Sequence, residues 1–495
     1  MLFNSIHFLF FFPIVIILYY IIPHKFRWIW LLISSYYFYM SWNPKYAILI
    51  GTSTIVTYIT GILIYKADKI NNNKKAIKLK KFWVFTSFFI NLGILFLFKY
   101  YNFFTATLTR VLSAVNISFN VSKFDFLLPV GISFYTFQAL SYTVDVYRKD
   151  VKAERNLGKY ALFVSFFPQL VAGPIERSKD LLHQFNEKHY FDYYRVKDGL
   201  LLMLWGFFQK ILIADRLAIL VNNVYNAPQN YRGLEIVIAT IFFALQIYCD
   251  FASYSNIARG AAEVMGFELS INFKQPYFSK SIKEFWRRWH ITLGAWFKDY
   301  LYIPLGGNRR SKLRNYFNTM IVFLISGLWH GAAINFIIWG GLHGIYIVVG
   351  DILKPLKEKI ISTFKIKPNS KGLKLIKIII TFILVDFAWI FFRAGSFTLS
   401  KTIIRNMLYF NPGIFASGRI YELGLDEKDF KIAILGILIV LIVDILQVNN
   451  NVRNTLANRN IVFRWSMYFI AIIAILIFGI YGPGYNAQQF IYFQF

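Results

Sequence analysis

Apolar residues come in runs of about 16 to 25 from one end of the chain to the other, separated by short polar gaps. A run of that length crosses a hydrocarbon core of roughly 30 Å as an α-helix. Helices are the expected form because a helix satisfies its own backbone groups where no water can. The pattern predicts spans at about 7 to 22, 28 to 42, 46 to 65, 82 to 104, 127 to 147, 160 to 172, 199 to 221, 234 to 258, 315 to 333, 336 to 350, 375 to 392, 431 to 448 and 464 to 481. The fold class expected is an all-α polytopic membrane protein forming one transmembrane domain over residues 1–495. Phe8 to Ile22 has no basic segment before it and no small-residue cleavage site, so it reads as a retained span and not a signal peptide.

Two stretches break the simple pattern. No Asp, Glu, Lys or Arg occurs between Arg314 and Asp351, a run that would measure about 54 Å as one helix. It has to double back, and the expected path is a helical hairpin turning near Gly331 to Asn335, with His330 deep beside the turn. "FVSFFPQLVAGPIER" (Phe163 to Arg177) is broken at Pro168 and at Gly173-Pro174 and is flanked by basic loops, which reads as a re-entrant segment. The longest loop regions, Ala394 to Lys431 and Gly260 to Lys283, are expected to carry amphipathic surface helices.

Composition agrees with a membrane protein: 57% of the 495 residues are hydrophobic, 20% aromatic and only 16% charged. A net charge of +29 could point to a nucleic-acid partner, but the basic residues occupy the gaps between apolar runs, where cytoplasmic loops are basic. No nucleic-acid partner is therefore expected; membrane lipids are. The strongest marker is "KADKINNNKKAIKLKK" (Lys66 to Lys81), with seven lysines against one aspartate, which places that loop in the cytoplasm and the N-terminus outside. The one cysteine, Cys249, excludes an intrachain disulfide, and no metal-ligand spacing is present.

An ionisable residue inside a membrane segment is a functional-site hypothesis by default. His330 fits that description, between Trp329 and Gly331 and followed by Ala332 and Ala333, with Asn335 just beyond. From the residue alone, proton transfer and a structural hydrogen bond are both open. His290 lies in "KEFWRRWHITLGAWFKDYLYIPLGGNRR", an interfacial stretch holding Trp286, Arg287, Arg288, Trp289, Lys298, Asp299 and Tyr300. Its basic residues suit lipid phosphates or, equally, an anionic phosphate-bearing donor. His343, among Gly340, Gly341 and Gly344, reads as packing. Tyr248, Asp250, Tyr254 and Ser255 are polar positions in an apolar run and could line a cavity; Asp386 and Asp444 are further intramembrane carboxylates.

"FWRRWHITLGAWFKDYLYIPLGGNR" (Phe285 to Arg309) together with "GLWHGAAINFIIWGGLHG" (Gly327 to Gly344) resembles the paired signature of the membrane-bound O-acyltransferase (MBOAT) family, and within it the alginate O-acetyltransferase AlgI branch. "LPVGISFYTFQALSYTVDVYR", "FFPQLVAGPIER", "YCDFASYSNIARG" and the closing "FIYFQF" extend the resemblance in order along most of the chain. The resemblance implies a helical bundle with re-entrant segments around a central channel. It implies transfer of an acyl group from a thioester to a hydroxyl, with His330 as the indispensable residue and His290 as a second polar position. Acetyl-CoA as co-substrate, no permanently bound cofactor, an extracytoplasmic acetyltransferase partner, an exported polysaccharide acceptor and residence in a bacterial cytoplasmic membrane follow from the same resemblance. A neutral imidazole, with an ordinary pKa near 6.5, can take the proton of an attacking hydroxyl. Three rivals stand beside this reading: a D-alanyl transferase like DltB, a lipid acyltransferase, and, in another class, a proton or anion channel whose histidines and aspartates form a relay.

Overall fold

The computed structural model describes residues 1–118, 121–122, 124, 128–481 and 490–491. Among the described residues all regular structure is helical. Helix starts follow the capping residues the sequence supplies: Ser5, Asn72, Asn156, Ser311, Ser370, Ser396 and Asn460 each accept a backbone N–H of the first turn.

Among the described residues seven helices are long and apolar enough to cross a membrane: Tyr46–Ala67, Asn73–Ser113, Leu234–Met265, Ile334–Ile352, Lys371–Arg393, Glu427–Val448 and Ile461–Phe478. Each overlaps a span expected from the pattern. Asn73–Ser113 starts well inside the lysine-rich segment because Asn72 caps it there, so the connecting turn is confined to a few residues after Ala67. The expected span from 127 begins on a residue outside the described ones; its helix is Ile132–Arg148.

Two expectations are corrected. Residues 160–172 are not a spanning helix: Leu157–Ser165 is nine residues long, and turns follow over 167–172. Nine residues rise only about 13 Å. The broken backbone is kept buried by side-chain amides: Gln138 and Gln169 both donate to the Phe163 carbonyl, at 2.7 and 3.1 Å, and the Phe167 N–H donates to Ser35 Oγ at 3.1 Å. Non-helical backbone at such a position is tolerated when protein groups satisfy it, as the re-entrant reading requires. Nor is Gly260 to Lys283 an amphipathic surface helix. Its first residues finish Leu234–Met265, and most of the rest is irregular. Ala394 to Lys431 does carry such a helix, Phe397–Met407, whose inner face buries Ser400 and Ile403.

The chain forms two compact units, Met1–Met203 with Ile257–Ser270, and Leu204–Asn256 with Ile271–Phe495. In the first, Ile132–Arg148 is buried on nearly every face; among its polar residues, Thr143 Oγ1 lies 3.0 Å from Ser87 Oγ and Ser141 donates to the Gln138 carbonyl at 2.7 Å. Residues after Met265 are tied down by Gln184, which exchanges two hydrogen bonds with the Glu268 backbone, and by Glu176, which accepts from the N–H and hydroxyl of Ser270. The second unit holds the hairpin that contains the charge-free run, Lys312–His330 and Ile334–Ile352, with Lys371–Arg393 packed beside it. The turn is Gly331 to Ala333, one end of the interval expected.

Glycines set how closely the hairpin closes. A Cβ on Gly340 would stand 2.2 Å from the Phe323 carbonyl oxygen, and one on Gly327 2.1 Å from that of Phe336. Both obstacles are backbone and cannot swing aside. Gly340→Ala is expected to destabilise the protein by about 1–3 kcal/mol, whereas Gly350→Ala, in open space on the same helix, should be silent. Thermal unfolding of the two purified variants checks this.

Candidate active site

His330 is the last residue of its helix, because Gly331 takes up an extended conformation, with φ near −162°. His290 is placed by a different device. It sits between two seven-residue helices, Ile282–Arg288 and Ile291–Phe297, with φ 43° and ψ 54°. A non-glycine residue held left-handed costs on the order of 1–2 kcal/mol and persists only where its surroundings impose it. Here Asn272 does so: its carbonyl takes the Ile291 N–H at 3.0 Å, and its side chain takes the Thr292 N–H and hydroxyl at 3.2 and 2.7 Å.

Forty positions apart in sequence, the two imidazoles lie with ring centroids 6.5 Å apart. His290 is fully buried and His330 is 4% exposed. The rings around them are aromatic. Phe251 meets His290 edge-on at 4.7 Å; Trp339 and Phe392 meet His330 at 5.0 and 5.4 Å; Trp329 contacts both, at 6.1 Å from His290 and 4.9 Å from His330. Burial pushes the His290 pKa down to about 3, because the charged form loses its hydration. The ring is therefore neutral across the physiological range.

That shift has a signed consequence. With an ordinary value near 6.5 when unfolded, the unfolded chain binds a proton between pH 6.5 and 3 that the folded chain refuses. The contribution of His290 to stability is complete above about pH 6.5 and is lost on acidification, at about 1.4 kcal/mol per pH unit. His290→Asn, which tolerates the same backbone, should flatten this acid limb; thermal midpoints of both proteins between pH 7 and 5 measure it.

Residues 152–392 match the model of the MBOAT, membrane-bound O-acyltransferase, family. The chain is 38% identical over 415 residues to a probable alginate O-acetylase AlgI of Pseudomonas aeruginosa, covering 83% of this chain and 75% of the relative. It is 32% identical over 409 residues to the peptidoglycan O-acetyltransferase of Helicobacter pylori, with 77% and 74% covered. The teichoic acid D-alanyltransferase of Streptococcus thermophilus is 31% identical over 289 residues, 53% of this chain and 68% of the relative. The chain belongs to the membrane-bound O-acyltransferase family.

It is accordingly a multi-pass membrane O-acyltransferase, and the channel or transporter reading is set aside. In this MBOAT chain the other residues singled out from the sequence divide into three groups. Trp286, Trp289, Trp329 and Asn335 join the histidine neighbourhood: Trp286 donates its indole N–H to His343 Nδ1 at 3.3 Å, Trp289 stacks on Phe285 and faces Trp389, and Asn335 ties the hairpin to the Ala394 carbonyl at 2.7 Å. Arg287 and Lys298 are exposed, Arg288 is paired with Glu284 at 2.7 Å, and Asp299 and Tyr300 are half-buried on the π-helical turn Lys298–Tyr302, where Tyr300 packs on Trp296. Tyr248, Asp250, Tyr254 and Ser255 are buried, and the first three have partners of their own: Tyr248 donates to Asp444 at 2.9 Å, Asp250 pairs with Lys210, and Tyr254 meets Phe490 edge-on.

Three buried residues were not singled out from the sequence: Trp339, Phe392 and Lys210. His343, expected to pack, lies with its ring 5.1 Å from Trp339 and 5.0 Å from Trp286. Trp339 and Phe392 carry no local signal, because an aromatic residue in an apolar run is indistinguishable from ordinary packing. Lys210 did carry one: it is a cation inside an expected span, and the reasoning that singled out Asp250 applied to it equally.

Proposed function

We propose that this MBOAT protein moves an acetyl group from cytoplasmic acetyl-CoA toward hydroxyls of an exported polysaccharide, with His330 as general base. The observation that carries the reading is the pair of buried imidazoles, His290 and His330, seated beside the turn of the hairpin that contains the charge-free run. A hydroxyl is a weak nucleophile. As its oxygen attacks the thioester carbonyl its proton passes to His330, the carbon–sulfur bond breaks, and the thiolate that leaves takes up a proton. A thioester is activated enough for direct transfer, so no acyl-enzyme is required. His290, neutral and held rigidly, orients a reactant beside it.

The acetyl assignment is supported by the relatives. The alginate O-acetylase and the peptidoglycan O-acetyltransferase align over 83% and 77% of the chain, the D-alanyltransferase over 53%. The lysine-rich Lys66–Lys81 segment supports a cytoplasmic membrane location with the N-terminus outside. An acceptor beyond the membrane calls for an extracytoplasmic acetyltransferase as the partner that takes the group onward.

Membranes containing the protein, given acetyl-CoA labelled in its acetyl group, should deposit label on surface polysaccharide in a form released by mild base, as an ester is. Label that stays on CoA, or passes only to lipid, would overturn the reading.

A further inference from the structure

Beside His330 lie hydrogen-bond donors with no acceptor among the described residues. Trp339 and Trp389 are fully buried and stacked 5.6 Å apart, and among the described residues neither indole N–H has a hydrogen-bond partner. Buried indoles ordinarily find one, since an unmet donor pays the full loss of its hydration. His343 adds a third. Its Nδ1 faces the Trp286 N–H at 3.3 Å, and an indole can only donate. Nδ1 is therefore the acceptor, the neutral ring carries its hydrogen on Nε2, and Nε2 likewise has no partner among the described residues.

The three groups are contiguous. Trp339 meets His330 at 5.0 Å with the ring planes at 89°, meets His343 at 5.1 Å and stacks on Trp389. All three are N–H donors and none is an acceptor, so the ligand group they complement is an oxygen with lone pairs, a carbonyl or an oxyanion. A cation or a bare alkyl chain would leave them unmet.

We propose that the indole N–H of Trp339 donates to the carbonyl oxygen of the acyl thioester, with His343 and Trp389 supplying further donors along the same wall. The assignment rests on the thioester reading given above. As the acceptor oxygen adds to the carbonyl carbon and its proton moves to His330, the carbon–oxygen π pair becomes an oxyanion held by Trp339. Collapse restores the carbonyl and expels the thiolate. A fixed donor in a buried site, aimed at charge that develops only during reaction, acts on kcat more than on KM.

The test uses the full-length protein in nanodiscs and two unreactive probes: S-acetonyl-CoA, which keeps a carbonyl, and S-ethyl-CoA, which has none. Trp339 is replaced by 3-benzothienylalanine, which has sulfur in place of the N–H at nearly the same size, and in parallel by Trp339→Phe. The wild type should prefer S-acetonyl-CoA. The thia variant should lose that preference, bind S-ethyl-CoA as before, raise KM by no more than the lost preference, and drop in kcat by about 10²–10³-fold. A thia variant with wild-type kcat, or with the preference intact, overturns the assignment. If the wild type binds neither probe, the thioester reading falls and this assignment falls with it.

Discussion

His330→Gln is expected to lower acyl transfer by about 10²–10⁴-fold, the ordinary worth of a positioned general base, while the protein still inserts and folds. Glutamine is close to histidine in size and can still form hydrogen bonds, but it cannot accept a proton at neutral pH. The neighbours are rings, Trp329, Trp339 and Phe392, and their packing does not depend on a charge at position 330. Turnover of labelled acetyl groups, compared at equal amounts of folded protein, is the measurement. A variant with near-normal turnover would remove His330 from the chemistry and leave the buried pair as a packing feature.

The second large effect concerns stability. Lys210 Nζ lies 2.8 Å from Asp215 Oδ1 and 2.7 Å from Asp250 Oδ1, with all three side chains almost completely buried. The Phe490 ring lies 4.3 Å from the same ammonium, and the Ile491 N–H donates to the other oxygen of Asp250 at 2.5 Å. Lys210→Met leaves two buried carboxylates without their cation. Breaking a buried pair from one side costs about 3–5 kcal/mol, a large share of the stability of most folded proteins. The variant should show a markedly lower thermal midpoint in detergent, and Lys210→Met combined with Asp250→Asn should recover part of the loss by removing one stranded charge. An unchanged midpoint in the single variant would mean that the ion cluster contributes nothing to holding this unit together.

Much of this molecule was legible one residue at a time. The apolar runs located the helices, because burying a backbone in hydrocarbon leaves few alternatives. The length of the charge-free stretch forced a hairpin, and its glycines marked where two backbones approach to within a side chain's width of each other. His330 stood out because a titratable group in such a stretch needs a reason. Where the count of spans overreached, short-range structure had the stronger claim: the helix before Pro168 ends at Ser165, with Gln138 and Gln169 bonded to its Phe163 carbonyl, and the Asn72 cap starts a helix among the lysines.

By itself, then, the amino-acid order determined that the chain is a helical membrane protein, that one segment doubles back, and that a histidine lies at its bend. Only the tertiary structure decided that His290 is that histidine's neighbour, that Asn272 holds it in a left-handed backbone, that Asp250 belongs to Lys210, and that Trp339 and His343 line the same cluster. The reason is physical. Periodicity and charge report how each segment faces lipid or water, whereas a site is made where segments far apart in sequence pack together, and packing depends on shape across the interface, which no single segment encodes.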